Sequence, residues 1–140
     1  MWFKNLIVYR LSNPIDLSAD ELETRLEEFA YRPCTSQEKS KYGWSKPMGK
    51  HGESLLHVTD GNILLCAKKE DKMLPASVVK EALVEKIEQI EADTSRPVKK
   101  KEKDALKEEI EHQLLPRAFS RLGTTRAYIS PKMGLIIVDA

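Results

Sequence analysis

The sequence contains no Cys-x-x-Cys pair, no glycine-rich phosphate loop and no long apolar run, and each absence closes a class of function. With two cysteines only, Cys34 and Cys66, a disulfide framework is out of reach, so reduced thiols in a reducing compartment are expected. No window approaches the roughly 18 apolar residues of a spanning helix, and Met1 is not followed by a basic region leading into an apolar core. Neither a membrane anchor nor a secretory leader is therefore expected, which places the chain in the cytoplasm. Without a G-x-G-x-x-G or P-loop pattern, nucleotide hydrolysis has no support. Net charge is also nearly absent, at +1, so no global field marks a polyanion-binding protein.

What is present suits a globular chain. The 140 residues can enclose a core as one domain, and a 41% hydrophobic, 32% charged content is far from that of a disordered segment. Charge becomes informative once it is divided along the chain. Residues 96–121 hold eight Lys/Arg against five Asp/Glu, a local +3, and residues 32–50 hold five against one, a local +4, interleaved with Tyr42 and Trp44. Two basic islands thus rise from a near-neutral background.

The order of elements follows from local signals. Residues 2–11 (WFKNLIVYRL) read as a strand buried on at least one face. Ser18 and Glu21 form a capping box that opens a helix whose apolar stripe is Leu22, Leu26 and Phe29. Proline and glycine at Pro33, Gly43, Pro47, Gly49 and Gly52 make residues 31–53 a long loop. Asp60-Gly61 joins two β-rich runs over residues 54–68 as a type I′ hairpin. After Leu74-Pro75, with Ser77 as N-cap, Val79, Leu83, Ile87 and Ile90 mark one helix, and Leu106, Ile110 and Leu114 mark the next. The break at residues 94–97 makes these an antiparallel pair. TTRAYIS and GLIIVD form a closing hairpin around residues 130–134. The expectation is a single α+β domain over residues 1–140: a mainly antiparallel sheet of two hairpins plus an N-terminal strand, one short helix, and a helical hairpin at about residues 76–121.

Catalysis finds little purchase. Asp60 with Glu70-Asp71-Lys72 resembles the D…E-x-K pattern of metal-dependent nucleases, but the hairpin puts Asp60 in the turn and Glu70 at a solvated strand end. About nine residues at roughly 3.3 Å each hold the carboxylates some 25 to 30 Å apart, too far for one ion. Two S-x-x-K matches, at Ser36 and Ser77, lack any supporting motif. His51, His57 and His112 are scattered, so no metal site is expected.

Binding has more behind it. Lys99, Lys100, Lys101 and Lys103 crowd the expected hairpin tip, and Lys68, Lys69 and Lys72 leave the first hairpin. Both groups are placed to meet phosphates rather than bases, as no helix-turn-helix, zinc finger or RNP signature accompanies them. Pro116 should kink the second long helix or restart it as a short terminal turn. Phe119 beyond it is either an aromatic tucked into the core or an anchor in a second subunit, with Arg117 and Arg121 pairing across that junction or facing phosphate. A competing reading makes the hairpin a protein-interaction module that grips a partner protein without touching DNA, its lysines serving solubility.

WFKNLIVYRL, Gly43-Trp44, Pro47-Met48-Gly49, ILLCAKKEDKMLP, EKDALKEEIEHQLLPRAFSR and GLIIVD together resemble the N-terminal portion of the RdgC family of bacterial recombination-associated proteins. The resemblance spans the whole chain, and LLPRAFSR is its most specific piece. It implies a non-enzymatic, cofactor-free and largely sequence-independent DNA-binding protein of the nucleoid. The family forms a ring-shaped homodimer around double-stranded DNA, with single-stranded DNA as a further ligand, and acts as a functional antagonist of RecA by restraining RecA-promoted recombination. Family chains extend well beyond this length.

Overall fold

The computed structural model describes residues 3–140, so Trp2 of the expected first strand lies outside the described residues. The elements run β1 (Leu6–Arg10), α1 (Ala19–Glu27), β2 (Ser40–Ser45), β3 (Leu56–Thr59), β4 (Asn62–Met73), α2 (Ala76–Thr94), α3 (Lys100–Leu114), β5 (Phe119–Ser130) and β6 (Leu135–Asp139). The strands form one six-stranded sheet in the order β1-β6-β5-β4-β2, with β3 also paired to β4. β1 with β6, β3 with β4, and β5 with β6 are antiparallel. This is the α+β class expected from the sequence. The chain divides into two compact units, one holding the residues up to Pro33, Lys41–Glu70 and Leu122–Ala140, the other Cys34–Ser40 and Asp71–Arg121.

In the first unit, local chemistry sets the turns. Ser18 Oγ accepts the Glu21 N–H at 3.2 Å while the Glu21 carboxylate accepts the Ser18 N–H at 3.2 Å, so both halves of the capping box form. Asp60 and Gly61 adopt φ of +52° and +77°, the left-handed pair a type I′ turn requires. Leu26, Leu56, Ile63, Leu65 and Ile129 make the buried cluster, flanked by Leu22 and Trp44. Phe29 departs from the expected stripe. α1 ends at Glu27, so Phe29 lies beyond the helix and is 69% exposed.

Residues 31–53 are not one long loop. β2 occupies Ser40–Ser45 and a 3-10 turn occupies Gly49–His51. A strand forms there because Gly43 lets the backbone come close: a Cβ at this position would lie 2.2 Å from the Tyr31 Cα. The Trp44 N–H reaches the Phe29 carbonyl at 2.9 Å, and the Tyr31 N–H reaches the Trp44 carbonyl at 2.8 Å. Glycine here marks a close approach of two chain segments rather than a break.

β1 is a strand, but it is not buried on either face. Leu6, Ile7, Val8 and Tyr9 are 43–57% exposed, as β1 is the outermost strand of the sheet and, among the described residues, pairs with β6 alone. That edge is clasped by Asp139, whose Oδ1 accepts the N–H groups of Lys4 and Asn5 at 3.0 and 2.9 Å. Glu70 is likewise not at a solvated strand end. β4 continues to Met73, and the Glu70 side chain is buried.

In the second unit α2 and α3 pack together, with Val79, Val98, Ile110 and Leu115 buried. Ser77 does not cap α2; the N-cap is Pro75 and Ser77 lies inside the first turn. Proline's fixed φ and missing N–H make it a natural stop ahead of a helix. At the other end, α3 stops at Leu114 and Leu115–Arg117 form a 3-10 turn around Pro116, as a proline at that point demands. The helical part is therefore shorter than residues 76–121, because Phe119 to Arg121 already belong to β5.

Candidate nucleic-acid interface

The tip of the helical hairpin is a tightly specified connection. Ser95 adopts the left-handed conformation (φ +54°) and its N–H caps α2 on the Glu91 carbonyl at 2.9 Å. The Glu91 carboxylate accepts the N–H of buried Val98 at 3.1 Å, and Arg96 pairs with Glu102 at 2.9 Å. Lys99 then serves as N-cap of α3 without a side-chain hydrogen bond, and Lys100, Lys101 and Lys103 fill the first turn. All four lysines are exposed.

This position is electrostatically unusual. A helix N-terminus carries unsatisfied N–H groups and a partial positive charge, so each cation there opposes the fold by about 0.3–1 kcal/mol at low ionic strength. Glu102, the acidic residue of that turn, is already engaged by Arg96. Free amides and four exposed lysines thus share one helix end, where an anion is favoured.

Arg117, Phe119 and Arg121 lie at the opposite end of α3. Fifteen helical residues at about 1.5 Å each separate them from the lysine tip by some 22 Å. Phe119 is 84% exposed, so the core position weighed for it from sequence is not the one it takes. Arg117 and Arg121 are exposed beside it in sequence. Lys72 is half-buried near the end of β4, and its N–H donates to the Lys39 carbonyl at 2.8 Å.

Lys68 and Lys69 belong to the first unit and are spoken for. They sit on β4 with ammonium groups over the rings of Tyr31 and Tyr42, at 4.7 and 5.0 Å from the centroids. As successive strand residues they point to opposite faces. The Tyr31 hydroxyl donates to buried Glu70 at 2.9 Å, tying ring, lysine and carboxylate into one cluster. Nothing in the local sequence announced this, because Tyr31 and Glu70 are 39 positions apart. Elsewhere in this unit, burial pushes the Cys66 thiol above its ordinary pKa despite Arg126 and Lys68 nearby. The His57 ring is hydrogen-bonded to the Thr59 hydroxyl at 2.8 Å. Among the described residues no group of three or more His, Cys, Asp or Glu comes together as a metal site.

One feature of the second unit was not singled out from sequence. α2 and α3 flank a groove of about 400 Å³ edged by Lys39, Lys72, Lys80 and Lys107. Lys80 precedes Leu83 by three positions, a spacing that makes them neighbours on the surface of α2, so a helical projection shows the juxtaposition of charge and apolar stripe.

A family model described as "Putative exonuclease, RdgC" matches residues 1–140. The chain is 57% identical over its full length to a recombination-associated protein RdgC of Aeromonas hydrophila, and 54% identical to proteins of the same name from Shewanella halifaxensis and Serratia proteamaculans. The chain belongs to the RdgC family of recombination-associated proteins. It spans 46% of the length of each of these relatives and corresponds to their N-terminal part. No helix among the described residues is long and apolar enough to cross a membrane.

Proposed function

We propose that this chain is the N-terminal part of a non-enzymatic DNA-binding protein that occupies or encircles duplex DNA, largely without regard to sequence, and so restrains RecA-promoted recombination. The observation that carries this reading is the lysine cluster at the start of α3. Lys99, Lys100, Lys101 and Lys103 cost the helix stability where they stand, and a phosphate backbone is the partner that repays four ammonium groups beside free amides. Arg117 and Arg121, beyond the far end of the same helix, are exposed and would be a second point of phosphate contact. Lys68, Lys69 and Lys72 contribute less directly, since the first two lie over tyrosine rings and the third is half-buried.

In this reading the protein acts by occupancy. The D…E-x-K pattern does not assemble here, because Asp60 stays at the turn of the hairpin while Glu70 is engaged by Tyr31. For self-association the supporting feature is Phe119, a large apolar ring left 84% exposed between two arginines. A homodimer closing through that residue is the arrangement we favour, with the protein resident in the cytoplasm on the nucleoid.

The test is a salt titration of duplex binding. About six phosphate contacts give a log-log slope near −5, with affinity almost the same for length-matched duplexes of different sequence. A slope near zero, or strong preference for one duplex, sinks the reading.

A further inference from the structure

The groove flanked by α2 and α3 has an apolar floor and a cationic rim. Val79 and Leu115 at its base are buried, and Leu83 is half-buried beside them. Four lysines stand around this floor with one carboxylate, Glu111, which pairs with Lys39 at 3.2 Å. Lys72, Lys80 and Lys107 have no ion-pair partner among the described residues. The rim therefore presents unpaired positive charge directly above aliphatic surface.

Three kinds of anion are candidates for such a place, and chemistry separates them. A duplex backbone supplies phosphates but nothing apolar to fill the floor. A single-stranded base brings an apolar face, yet base binding relies on aromatic platforms, and no aromatic residue lines this groove. An acidic peptide that presents an aliphatic side chain supplies both halves at once: carboxylates for the ammonium groups, and a leucine- or isoleucine-like group for Val79, Leu83 and Leu115. We infer that the α2–α3 groove is a docking site for an acidic peptide segment of a partner protein, anchored by an aliphatic side chain. The groove shares Lys72 with the DNA reading, but its other rim lysines, Lys39, Lys80 and Lys107, are not among the residues assigned to DNA and none belongs to the hairpin tip.

Its size agrees with the assignment, since about 400 Å³ lies toward the lower end of the range for specific ligand sites. The mode is that of a groove reading a short motif, in which a few pockets give specificity and charge gives register. The Lys39–Glu111 pair fits as well. As an exposed pair it is weak, so an incoming carboxylate can take over Lys39 at little loss.

Fluorescence anisotropy on the 140-residue chain tests this, with a fluorescein-labelled peptide of two adjacent leucines flanked by aspartates as probe. Saturable binding is expected, weakened about tenfold or more when the leucines become serine and likewise when the aspartates become asparagine. Lys107→Glu, on an exposed position that leaves the fold intact, should give the same loss, and Leu83→Gln should do so with its thermal midpoint followed as a control. Glu substitution of Lys100 and Lys101 should leave peptide binding unchanged. Absence of saturable binding to the unaltered chain overturns the inference, as does peptide binding indifferent to Lys107→Glu. Displacement of the peptide by oligothymidylate, with the oligonucleotide itself sensitive to Leu83→Gln, overturns it too and makes the groove a site for single-stranded nucleic acid.

Discussion

The Tyr31 hydroxyl donates a 2.9 Å hydrogen bond to the carboxylate of Glu70, a side chain only 5% exposed, and the Tyr31 ring lies under the ammonium of Lys68. A buried carboxylate needs partners, and removing a hydrogen bond to a charged group costs about 1.5–3 kcal/mol. Tyr31→Phe keeps the ring and its cation contact while deleting the hydroxyl. We expect it to lower the unfolding free energy by roughly that amount in urea titration, with duplex binding unchanged. Full retention of stability would show that Glu70 is held by its other neighbours alone.

The lysine tip makes an opposed pair of expectations. Replacing Lys100, Lys101 and Lys103 by glutamate puts anions at the positive end of α3, which stabilises a helix by about 0.3–1 kcal/mol per favourable charge. The thermal midpoint should therefore hold or rise while duplex affinity falls at least about tenfold, uniformly across sequences. A variant that melts lower and binds DNA as before would make the cluster structural.

Phe119 offers a cleaner division than sequence allowed. At 84% exposure its loss removes almost no packing, so Phe119→Ser should leave stability within about 0.5 kcal/mol. Sedimentation should instead show weaker self-association. An unchanged oligomeric state in the variant would remove this ring from the proposed junction.

Asp139 gives a pH signature. Hydrogen bonds from the backbone N–H of Asn5 and then of Lys4 hold its carboxyl below the ordinary pKa. A carboxyl depressed in the folded state stabilises the fold above its unfolded pKa, and that contribution is lost as the pH falls through the folded value. Asp139→Ala should melt lower than the parent at neutral pH, and the gap should close in acid, below the usual carboxylate range. A gap that persists there would mean that something other than the charged carboxylate is lost.

Some of this molecule could be read from residues within a few positions of one another. Ser18 and Glu21 cap a helix, Asp60 and Gly61 turn a hairpin, and Pro116 ends α3, because each outcome is decided by φ, by a missing N–H or by a side chain reaching three residues along the chain. The lysine tip was legible for the same reason, as consecutive charges stay together whatever the fold does. Other features required partners remote in sequence. β2 was hidden because Gly43 looks like a loop residue until the Tyr31 backbone lies against it. The exposure of β1 depends on its place at the sheet edge, and the burial of Glu70 depends on Tyr31. Lys68 and Lys69 read as free cations until two tyrosines arrived beneath them. The α2–α3 groove joins Lys39 and Lys72 to Lys80 and Lys107, and no local pattern contains all four. The Ser18 cap and the Asp60-Gly61 turn are short-range hydrogen-bond and torsion problems that the sequence settles alone, whereas Ser77 gave way as a cap to Pro75 two residues earlier. Burial, cation–π contact and groove formation depend on which distant surfaces exclude water from one another, and that is decided only by the packed tertiary structure.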